Sequence, residues 1–422
     1  MSQVVVIGAG LAGLTAAIQL AAAGVRTTLL TKGAGGLPLS QGTIDVLGYT
    51  GTNGSSTRVT EPLAALAGLA AERPDHPYAA IGADAVRAGL AFVQDLVGPD
   101  LLAGTADTNQ LFPTAVGAVR PTCLAQPSML AGACVDGAKF AIVGLRRLKD
   151  FHPDLVAGNL ARTVLDGGGR MQARALFVDV PARPGEADSG GLSYARAFDS
   201  AAYRASFADE LRPLLTEGET VGLPAVLGLR DATAWRDLAD KLEHPVFEIP
   251  LPPPSVPGMR LNAALTAAAR SAGVRIVNGS WATDPRIESG RIRSVRVTTA
   301  GTPREITADA FLLAGGGFES GALSLDSHDN VTERVFGLPL AGVTGELVHG
   351  DYWGAQQPLF AVGVAVDSTM RVIEPGGGPV YENLWAAGGV LAGAQRWSEK
   401  SGEGIALGSA VKAAEAIAKE LA

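Results

Sequence analysis

A run of apolar residues opens the chain and leads directly into a glycine-rich turn. From Val4 the sequence reads VVVIGAGLAGL, which places Gly8, Gly10 and Gly13 in the spacing Gly-x-Gly-x-x-Gly. Alanine and leucine dominate residues 14–23. The pattern predicts a strand, a tight turn and a helix, in which the glycines permit the turn, the approach of a pyrophosphate and close helix–strand packing. The alternative is a glycine-rich turn that binds no ligand.

Residues 25–31 predict the second strand of this βαβ unit. Dinucleotide-binding units usually have Asp or Glu at the end of that strand, where the carboxylate binds a ribose hydroxyl. Here Thr31 and Lys32 stand at the strand end, and the next acidic residue is Asp45. This departure disfavours a standard NAD site and weakens the prediction for the adenosine half of an FAD.

Later in the chain the hydrophobic pattern predicts two further sheets. Strand and helix patterns alternate over residues 139–249, which indicates a second, mainly parallel sheet. A hairpin with Gly290 in its turn follows over residues 286–297, with a third strand near 304–307. The predicted fold class is therefore α/β, with a Rossmann-like cofactor-binding domain that carries a β-meander and an inserted α/β cap domain.

Three later segments predict further contacts with a cofactor. They are the uncharged, glycine- and hydroxyl-rich part of the loop after the second strand, a buried strand ending in small residues, and a strand ending in glycines before the terminal helix. The positive end of that helix would stabilise the charge of a reduced flavin. An ordinary loop and a plain packing helix, with Glu403 at its start, are the alternatives. The predicted cofactor-binding residues are Gly8, Ala9, Gly10, Leu11, Ala12, Gly13, Thr31, Lys32, Ser40, Gln41, Gly42, Thr43, Ala314, Gly315, Gly316, Gly388, Gly389, Gly404, Ile405 and Ala406.

Composition excludes several classes of protein. With 422 residues, 47% hydrophobic and 18% charged, the chain has the composition of a globular protein. A net charge of −8 argues against nucleic acid and anionic membrane surfaces as partners. Residues 4–25 are nearly uncharged, but no basic residue precedes them and their glycines suit a turn. We therefore expect a buried βαβ unit and no membrane-spanning helix.

The candidate catalytic residues are few. Cys123 and Cys134 are the only cysteines, so the chain cannot hold a four-cysteine iron–sulfur cluster. The five histidines show no metal-ligand spacing, and no metal site is predicted. His76 is a candidate base, with a structural turn histidine as the alternative. Arg260 is a candidate for binding an anionic substrate or a flavin phosphate, with a solvated linker arginine as the alternative.

The glycine turn, the loop that includes Ser40 and Thr43, the meander ending in LAGG at residues 313–316, and the NLWAAGG segment at 383–389 occur in this order. Together they resemble the fumarate reductase/succinate dehydrogenase-like class of flavoproteins. The segment PPPSVPGMRL at 252–261 and the turn Asp-His-Pro-Tyr at 75–78 narrow the resemblance to the family of B subunits of anaerobic glycerol-3-phosphate dehydrogenase.

The resemblance implies a flavin subunit with FMN, which acts with a catalytic A subunit and with an iron–sulfur, membrane-anchoring C subunit. Such a complex oxidises glycerol 3-phosphate to dihydroxyacetone phosphate and passes electrons to menaquinone in fumarate or nitrate respiration. The chain would be cytoplasmic, attached through a partner to the inner face of the cell membrane. FAD stays open, because the turn suits a pyrophosphate, which FMN lacks. A free-standing FAD oxidoreductase that acts on another substrate stays open too, as does a flavin-free protein that serves the assembly of the complex.

The turn-rich segment at 49–60 and the second α/β region, which has no Gly-x-Gly-x-x-Gly turn, set the predicted domain boundaries. Residues 1–50 form the first part of a flavin-binding domain, and residues 51–250 form the inserted cap or substrate-side domain. Residues 251–422 return to the flavin-binding domain with the meander and the C-terminal helix. A flexible, turn-rich insert is predicted at 49–60, next to the first boundary.

Overall fold

The computed structural model describes residues 2–51, 56–351 and 354–422, and the chain divides into two compact units. The first unit comprises Met1–Gly36, Asp45–Leu96 and Ala264–Ala422. The second unit comprises Leu37–Ile44 and Val97–Ala263.

The helices and strands are numbered in chain order. The helices are α1 (Leu11–Ala22), α2 (Pro62–Glu72), α3 (Pro77–Ile81), α4 (Ala83–Val97), α5 (Pro153–Arg162), α6 (Gly191–Phe198), α7 (Ala201–Leu211), α8 (Ala234–Leu242), α9 (Val256–Ser271), α10 (Arg396–Glu399) and α11 (Gly402–Leu421). The strands are β1 (Gln3–Ile7), β2 (Arg26–Thr31), β3 (Tyr49–Thr50), β4 (Thr57–Arg58), β5 (Ala103–Gly104), β6 (Gln110–Pro113), β7 (Val119–Thr122), β8 (Leu124–Ala125), β9 (Lys139–Leu145), β10 (Gln172–Val178), β11 (Thr220–Pro224), β12 (Val246–Ile249), β13 (Arg275–Asn278), β14 (Trp281–Glu288), β15 (Arg291–Thr298), β16 (Arg304–Thr307), β17 (Ala310–Leu313), β18 (Leu323–Leu325), β19 (Val331–Glu333) and β20 (Leu384–Ala386).

The first unit is built on a parallel sheet in the order β13-β2-β1-β17-β20. Ile7 at the end of β1 lies beside Leu30 of β2 and Leu313 of β17. The apolar run of β1 is buried because a central parallel strand has both faces covered. Helix α1 packs against α11. The predicted strand–turn–helix–strand start of the chain is confirmed.

The antiparallel meander β14-β15-β16 also belongs to the first unit, and Gly290 (φ +74°) lies in its first turn, as predicted. Residues 52–55 of the predicted insert at 49–60 lie outside the described residues. On either side of them, β3 and β4 form a short antiparallel pair.

Helices α3 and α4 pack on α11 and α2 packs on α3, so that all three helices belong to the first unit. A Cβ atom at Gly89 of α4 would lie 2.9 Å from Leu407, and Lys412 Nζ donates to the carbonyl oxygens of Ala80 and Ile81 at 2.6 and 2.9 Å. The unit bounds therefore differ from the predicted domain boundaries. Residues 51–96 belong to the first unit instead of the cap, and residues 251–263 belong to the second.

The second unit contains a parallel sheet in the order β10-β9-β11-β12, which confirms the second, mainly parallel sheet. A large apolar cluster surrounds it, with Phe140, Phe198 and Phe247 among its fully or almost fully buried side chains. Both cysteines are buried and unbridged. In the described parts of the chain no helix is long and apolar enough to cross a membrane, and no group of His, Cys, Asp and Glu side chains could hold a metal ion.

Candidate cofactor site

The glycine turn has two positions that are closed by packing and one that is open. Gly8 adopts φ +114°, and a Cβ atom there would lie 2.1 Å from the carbonyl oxygen of Ala314. A Cβ atom at Gly13 would lie 1.9 Å from the carbonyl oxygen of Gly8. Only glycine fits at these two positions. At Gly10, by contrast, a Cβ atom would meet no other atom within 4 Å, so the backbone there borders open space.

Helix α1 begins beside that open space. Gly10 is its N-cap residue, in an extended conformation with no side-chain cap, and its carbonyl accepts from Leu14 N–H at 3.0 Å. The first N–H groups of a helix have no acceptor within the helix, and its start carries partial positive charge. Because the first turn of α1 contains no acidic residue, this end of the helix suits a phosphate group.

Several of the predicted cofactor residues meet at the carboxyl edge of the first unit's sheet. A Cβ atom at Gly388 would lie 2.9 Å from Ala12 Cβ and 4.0 Å from Ala406. Gly8 likewise packs closely against the backbone of Ala314. Gly388 N–H donates to Ser409 Oγ at 2.9 Å. The ends of β1, β17 and β20 are therefore joined to the starts of α1 and α11. Ligands of parallel α/β sheets bind at this edge.

The start of α11 offers fewer free donors than the sequence pattern predicted. Gly404 N–H donates to the carbonyl of Asp45 at 3.0 Å, and Ile405 N–H donates to the carbonyl of Ser401 at 3.0 Å. A Cβ atom at Gly404 would lie 2.4 Å from Tyr78 Oη. Gly404 is thus required by packing, and neither amide is left to face a ligand.

At the end of β2 the structure places an ammonium beside an indole. Lys32 Nζ lies 3.9 Å from the centroid of the Trp281 ring. Thr31 N–H donates to Ser280 Oγ at 3.2 Å, and its hydroxyl donates to the carbonyl of Gly33. The loop then returns to the glycine turn, since a Cβ atom at Gly35 would lie 2.5 Å from the carbonyl oxygen of Ala9.

The predicted residues Ser40, Gln41, Gly42 and Thr43 belong to the second unit. Ser40 Oγ donates to the carbonyl of Leu37 at 2.9 Å and accepts from Gly42 N–H at 3.2 Å. Gly42 has φ +73°, and a Cβ atom there would lie 2.6 Å from Pro257 at the start of α9. The segment packs closely on α9, and its role at a cofactor stays a prediction.

His76 is buried and engaged at both ring nitrogens. Its Nδ1 accepts from Tyr78 N–H at 3.2 Å and so caps α3, while Nε2 lies 3.1 Å from Glu399 Oε2. This geometry places the proton of the neutral ring on Nε2, which donates to the carboxylate. The geometry corresponds to the structural turn histidine of the two sequence interpretations.

Glu399 is the centre of this buried cluster. It also accepts from Arg73 Nη1 at 2.5 Å and from Ser401 Oγ at 2.8 Å. Burial raises the pKa of the Glu399 carboxyl, but the hydrogen bonds from His76 and Arg73 and the charge of Arg73 outweigh burial and lower the pKa from 4.5 to about 2. The ionised carboxylate joins the residues before α3 to those before α11.

Arg260 lies in a closed network in the second unit. Its guanidinium is 2.7 and 3.1 Å from the two carboxylate oxygens of Glu248 and donates to the carbonyls of Leu227 and Gly228 at 3.0 and 2.7 Å. Both side chains are at most 2% exposed. In this structure the guanidinium is thus bound by protein groups, and it is not the solvated linker residue of the alternative interpretation.

At the carboxyl edge of the first unit lies a charged pair that the sequence patterns did not predict. Arg396 Nη1 lies 3.3 Å from Glu319 Oε1. A Cβ atom at Gly389 would lie 2.2 Å from Arg396 Nη1, and one at Gly317 would lie 2.8 Å from Nη2. The guanidinium therefore lies against two glycines that follow β17 and β20.

Comparison with known proteins gives the family. Residues 3–405 match the model of the FAD binding domain family. The probable B subunit of anaerobic glycerol-3-phosphate dehydrogenase from Halobacterium salinarum is 34% identical over 435 residues, with 100% of this chain and 98% of the relative covered. The chain belongs to the family of these B subunits. The B subunit of the Pectobacterium carotovorum subsp. carotovorum enzyme is 32% identical, with 99% and 98% covered.

Membership in this family of anaerobic glycerol-3-phosphate dehydrogenase B subunits makes the chain a flavin-binding oxidoreductase and one component of a larger complex. The family resemblance found in the sequence is thus confirmed. Among solved structures, an open flavocytochrome c3 fumarate reductase has 11% identity and a TM-score of 0.45 over 99% of this chain and 78% of that one. The 3-ketosteroid delta1-dehydrogenase of Sterolibacterium denitrificans has 10% identity and a TM-score of 0.44 over 100% of both chains.

The glycine edge of the first unit fits a flavin by its own geometry. The backbone at Gly10 borders open space beside the start of a helix, and at the same sheet edge Gly8 packs on Ala314 and Gly388 packs on Ala12. These features suit a phosphate group and the close approach of a planar ring to the backbone.

Proposed function

We propose that this chain is the flavin-binding subunit of a quinone-linked glycerol-3-phosphate dehydrogenase. The complex oxidises glycerol 3-phosphate to dihydroxyacetone phosphate and passes electrons towards menaquinone, in fumarate or nitrate respiration. The observation that carries the proposal is the glycine edge of the first unit, where Gly10 borders open space at the start of α1. The names of the relatives supply the substrate.

The chain's own residues would hold the cofactor in two ways. The backbone amides at Leu11, Ala12 and Gly13 would bind its phosphate, because they lack acceptors within α1. Ala314 and Gly388 would let the backbone approach the ring, because neither has a large side chain. When bound, the flavin supplies an acceptor for the hydride that leaves C2 of glycerol 3-phosphate while a base takes the hydroxyl proton.

No residue of this chain is assigned as that base. The ring nitrogens of His76 contact Tyr78 N–H and Glu399, and the guanidinium of Arg260 is bound to Glu248. We therefore assign the oxidation of glycerol 3-phosphate to the complex. This chain contributes the flavin, and the catalytic A subunit is the partner that completes the active site.

We propose that the bound flavin is FAD, with FMN as the alternative. The family resemblance implies FMN. The match to the FAD binding domain family supports FAD, and so does a turn whose glycines suit a pyrophosphate. A membrane-anchoring C subunit would carry the iron–sulfur clusters, since this chain has only two cysteines. Through that partner the complex would attach to the cytoplasmic face of the membrane.

The test is the purification of this chain with its partners, followed by identification of the released flavin. We expect a yellow complex that releases FAD and whose flavin absorbance is bleached under anaerobic conditions by glycerol 3-phosphate but not by glycerol. If glycerol 3-phosphate bleaches the complex but the released flavin is FMN, the proposed function is supported and the cofactor is FMN instead of FAD. A freshly prepared complex without flavin in this chain would refute the proposal and favour a role in assembly.

A further inference from the structure

A cavity of about 610 Å³ opens at the carboxyl edge of the second unit's parallel sheet. Strands β9 and β10 end beside it, where Leu145 pairs with Val178, and α5 begins at its wall. The volume lies within the range of small-molecule sites, and ligands of parallel sheets bind at this edge. The proposed flavin function does not use this cavity.

Close packing at Gly144 of β9 shapes the cavity. A Cβ atom there would lie 2.5 Å from Pro153 Cγ, at the start of α5, and 3.3 Å from Phe177 Cδ1 of β10. Glycine therefore lets the start of α5 and the Phe177 ring come together at the strand ends. Phe177 is 37% exposed, so its ring offers an apolar wall to a ligand. Three buried apolar side chains also line the cavity: Leu145, Leu148 and Phe151.

Two consecutive arginines after β9 differ in their partners. Arg147 Nε lies 2.7 Å from Asp179 Oδ1, and Nη1 donates to the carbonyl of Glu186. The guanidinium carbon of Arg146, by contrast, lies 5.0 Å from the centroid of the Phe177 ring. Within the described part of the chain, this guanidinium makes no hydrogen bond and no ion pair. The ring supports it, and the donors at its edge remain available to a ligand.

Two further donors line the same cavity. Lys149 Nζ pairs with Asp188 at 2.5 Å, but both side chains are more than half exposed, so this surface pair contributes little and can open. The ring of His152 makes no hydrogen bond to the residues that the structure describes. Asp154 is the acidic side chain among the lining residues. Its carboxylate would repel an anion but can accept hydrogen bonds from hydroxyl groups.

We propose that this cavity binds a nucleoside monophosphate. A phosphate monoester carries about two negative charges and presents three acceptor oxygens, to which Arg146, Lys149 and His152 can donate. The planar guanidinium suits the geometry of a phosphate group. The apolar wall at Phe177 suits a planar base, and the carboxylate of Asp154 suits the hydroxyl groups of a ribose. The inference is independent of the proposed flavin function, because the two sites share no residue.

The experiment uses the purified complex as it is isolated and measures the binding of AMP, adenosine and inorganic phosphate by titration calorimetry. We expect AMP to bind with a dissociation constant below about 1 mM and more tightly than adenosine or phosphate, because each of these lacks one half of the nucleotide. Arg146→Met should weaken AMP at least about tenfold. Arg146→Lys keeps the charge without the planar fork and should show an intermediate affinity. Asp154→Asn should weaken AMP but not phosphate, which has no ribose.

The second unit offers a matched control for Arg146. Arg236 lies 5.3 Å over the ring of Trp235, but it is paired with Asp100 at 2.8 Å and does not line the cavity. Arg236→Met should therefore leave the affinity for AMP unchanged. Circular dichroism confirms that each variant is folded.

Four results would overturn the inference. The wild-type complex could fail to bind AMP, inorganic phosphate could bind as tightly as AMP, a folded Arg146→Met complex could bind AMP as tightly as the wild type, or Arg236→Met could weaken AMP as much as Arg146→Met. None of these results bears on the flavin, so the proposed function would stand in each case. A complex without flavin that binds AMP through Arg146 would refute the proposed function alone.

Discussion

The two units share a parallel sheet but use buried and charged groups differently. In the first unit the strand ends carry Gly8, Ala314 and Gly388, whose small size brings backbone next to backbone and leaves open space at Gly10. In the second unit the ion pair of Arg260 and Glu248 is sealed between β12, α9 and the residues after β11. The comparison indicates that a sheet edge of small residues beside an uncapped helix start leaves room for a ligand, whereas a fully paired buried charge marks a structural core.

We expect the largest effect on stability when the buried arginine of the second unit is removed. Arg260→Met leaves the Glu248 carboxylate buried without its cation, so we expect a loss of about 3–5 kcal/mol in the free energy of unfolding. The double variant Arg260→Met/Glu248→Met should regain part of that loss, since no charge is left uncompensated while the carbonyls of Leu227 and Gly228 lose their donor. Urea denaturation at neutral pH measures both.

A different outcome would support Arg260 as a residue that binds the substrate. If Arg260→Met were as stable as the wild type but raised the KM for glycerol 3-phosphate in the complex, the guanidinium would act on substrate and its pairing with Glu248 would be secondary. The flavin affinity of folded Arg260→Met should match that of the wild type in either case.

Acid titration sharpens the comparison in the first unit, where Glu399 is the buried carboxylate. Its pKa is lowered from 4.5 to about 2 because the hydrogen bonds of His76 and Arg73 outweigh burial. A carboxyl whose folded pKa lies below its unfolded value stabilises the fold above the unfolded value. That contribution is lost as the pH falls from about 4.5 towards 2. At neutral pH it amounts to at most about 3 kcal/mol.

Glu399→Gln should therefore be less stable than the wild type at neutral pH, and the difference should shrink on acidification below about pH 4.5. Guanidinium denaturation at a series of pH values measures it. Glu415→Gln on α11 is the matched control, since it removes the same charge from an exposed position. A stability difference that does not depend on pH would contradict the role assigned to the ionised carboxylate.

The sequence predicted those parts of the fold that short-range patterns encode. The apolar run at 4–7, the glycine turn and the meander turn at Gly290 were all readable, because each depends on neighbouring residues. The membership of residues 51–96 in the first unit could not be predicted from the sequence. It depends on the packing of Gly89 against Leu407. These two residues are more than 300 positions apart, and the hydrophobic periodicity of a sequence does not predict such a contact.

The candidate site, too, could be predicted from the sequence only where local patterns encode it. The glycines of the turn carry a local signal because the turn itself requires them. The pairs Arg396–Glu319 and His76–Glu399 are separated by 77 and 323 residues in the sequence, so only the fold reveals them. The availability of an amide is also a property of the fold, as the hydrogen bond from Gly404 N–H to the Asp45 carbonyl shows.

The flavin affinity of Gly10→Ala tests the central claim most directly. Gly10 has φ −78° and ψ −173°, which alanine adopts freely, and the added methyl group meets no protein atom within 4 Å. If a flavin phosphate lies there, the methyl group occupies its space. The control is Gly68→Ala in α2, where a Cβ atom is equally unobstructed.

We predict that Gly10→Ala raises the dissociation constant for the flavin at least about tenfold, a loss of about 1.4 kcal/mol of binding free energy. The flavin-free protein should change its free energy of unfolding by less than about 1 kcal/mol. Gly68→Ala should leave the flavin affinity unchanged. A Gly10→Ala protein that binds flavin as tightly as the wild type would contradict the placement of the cofactor at the glycine turn.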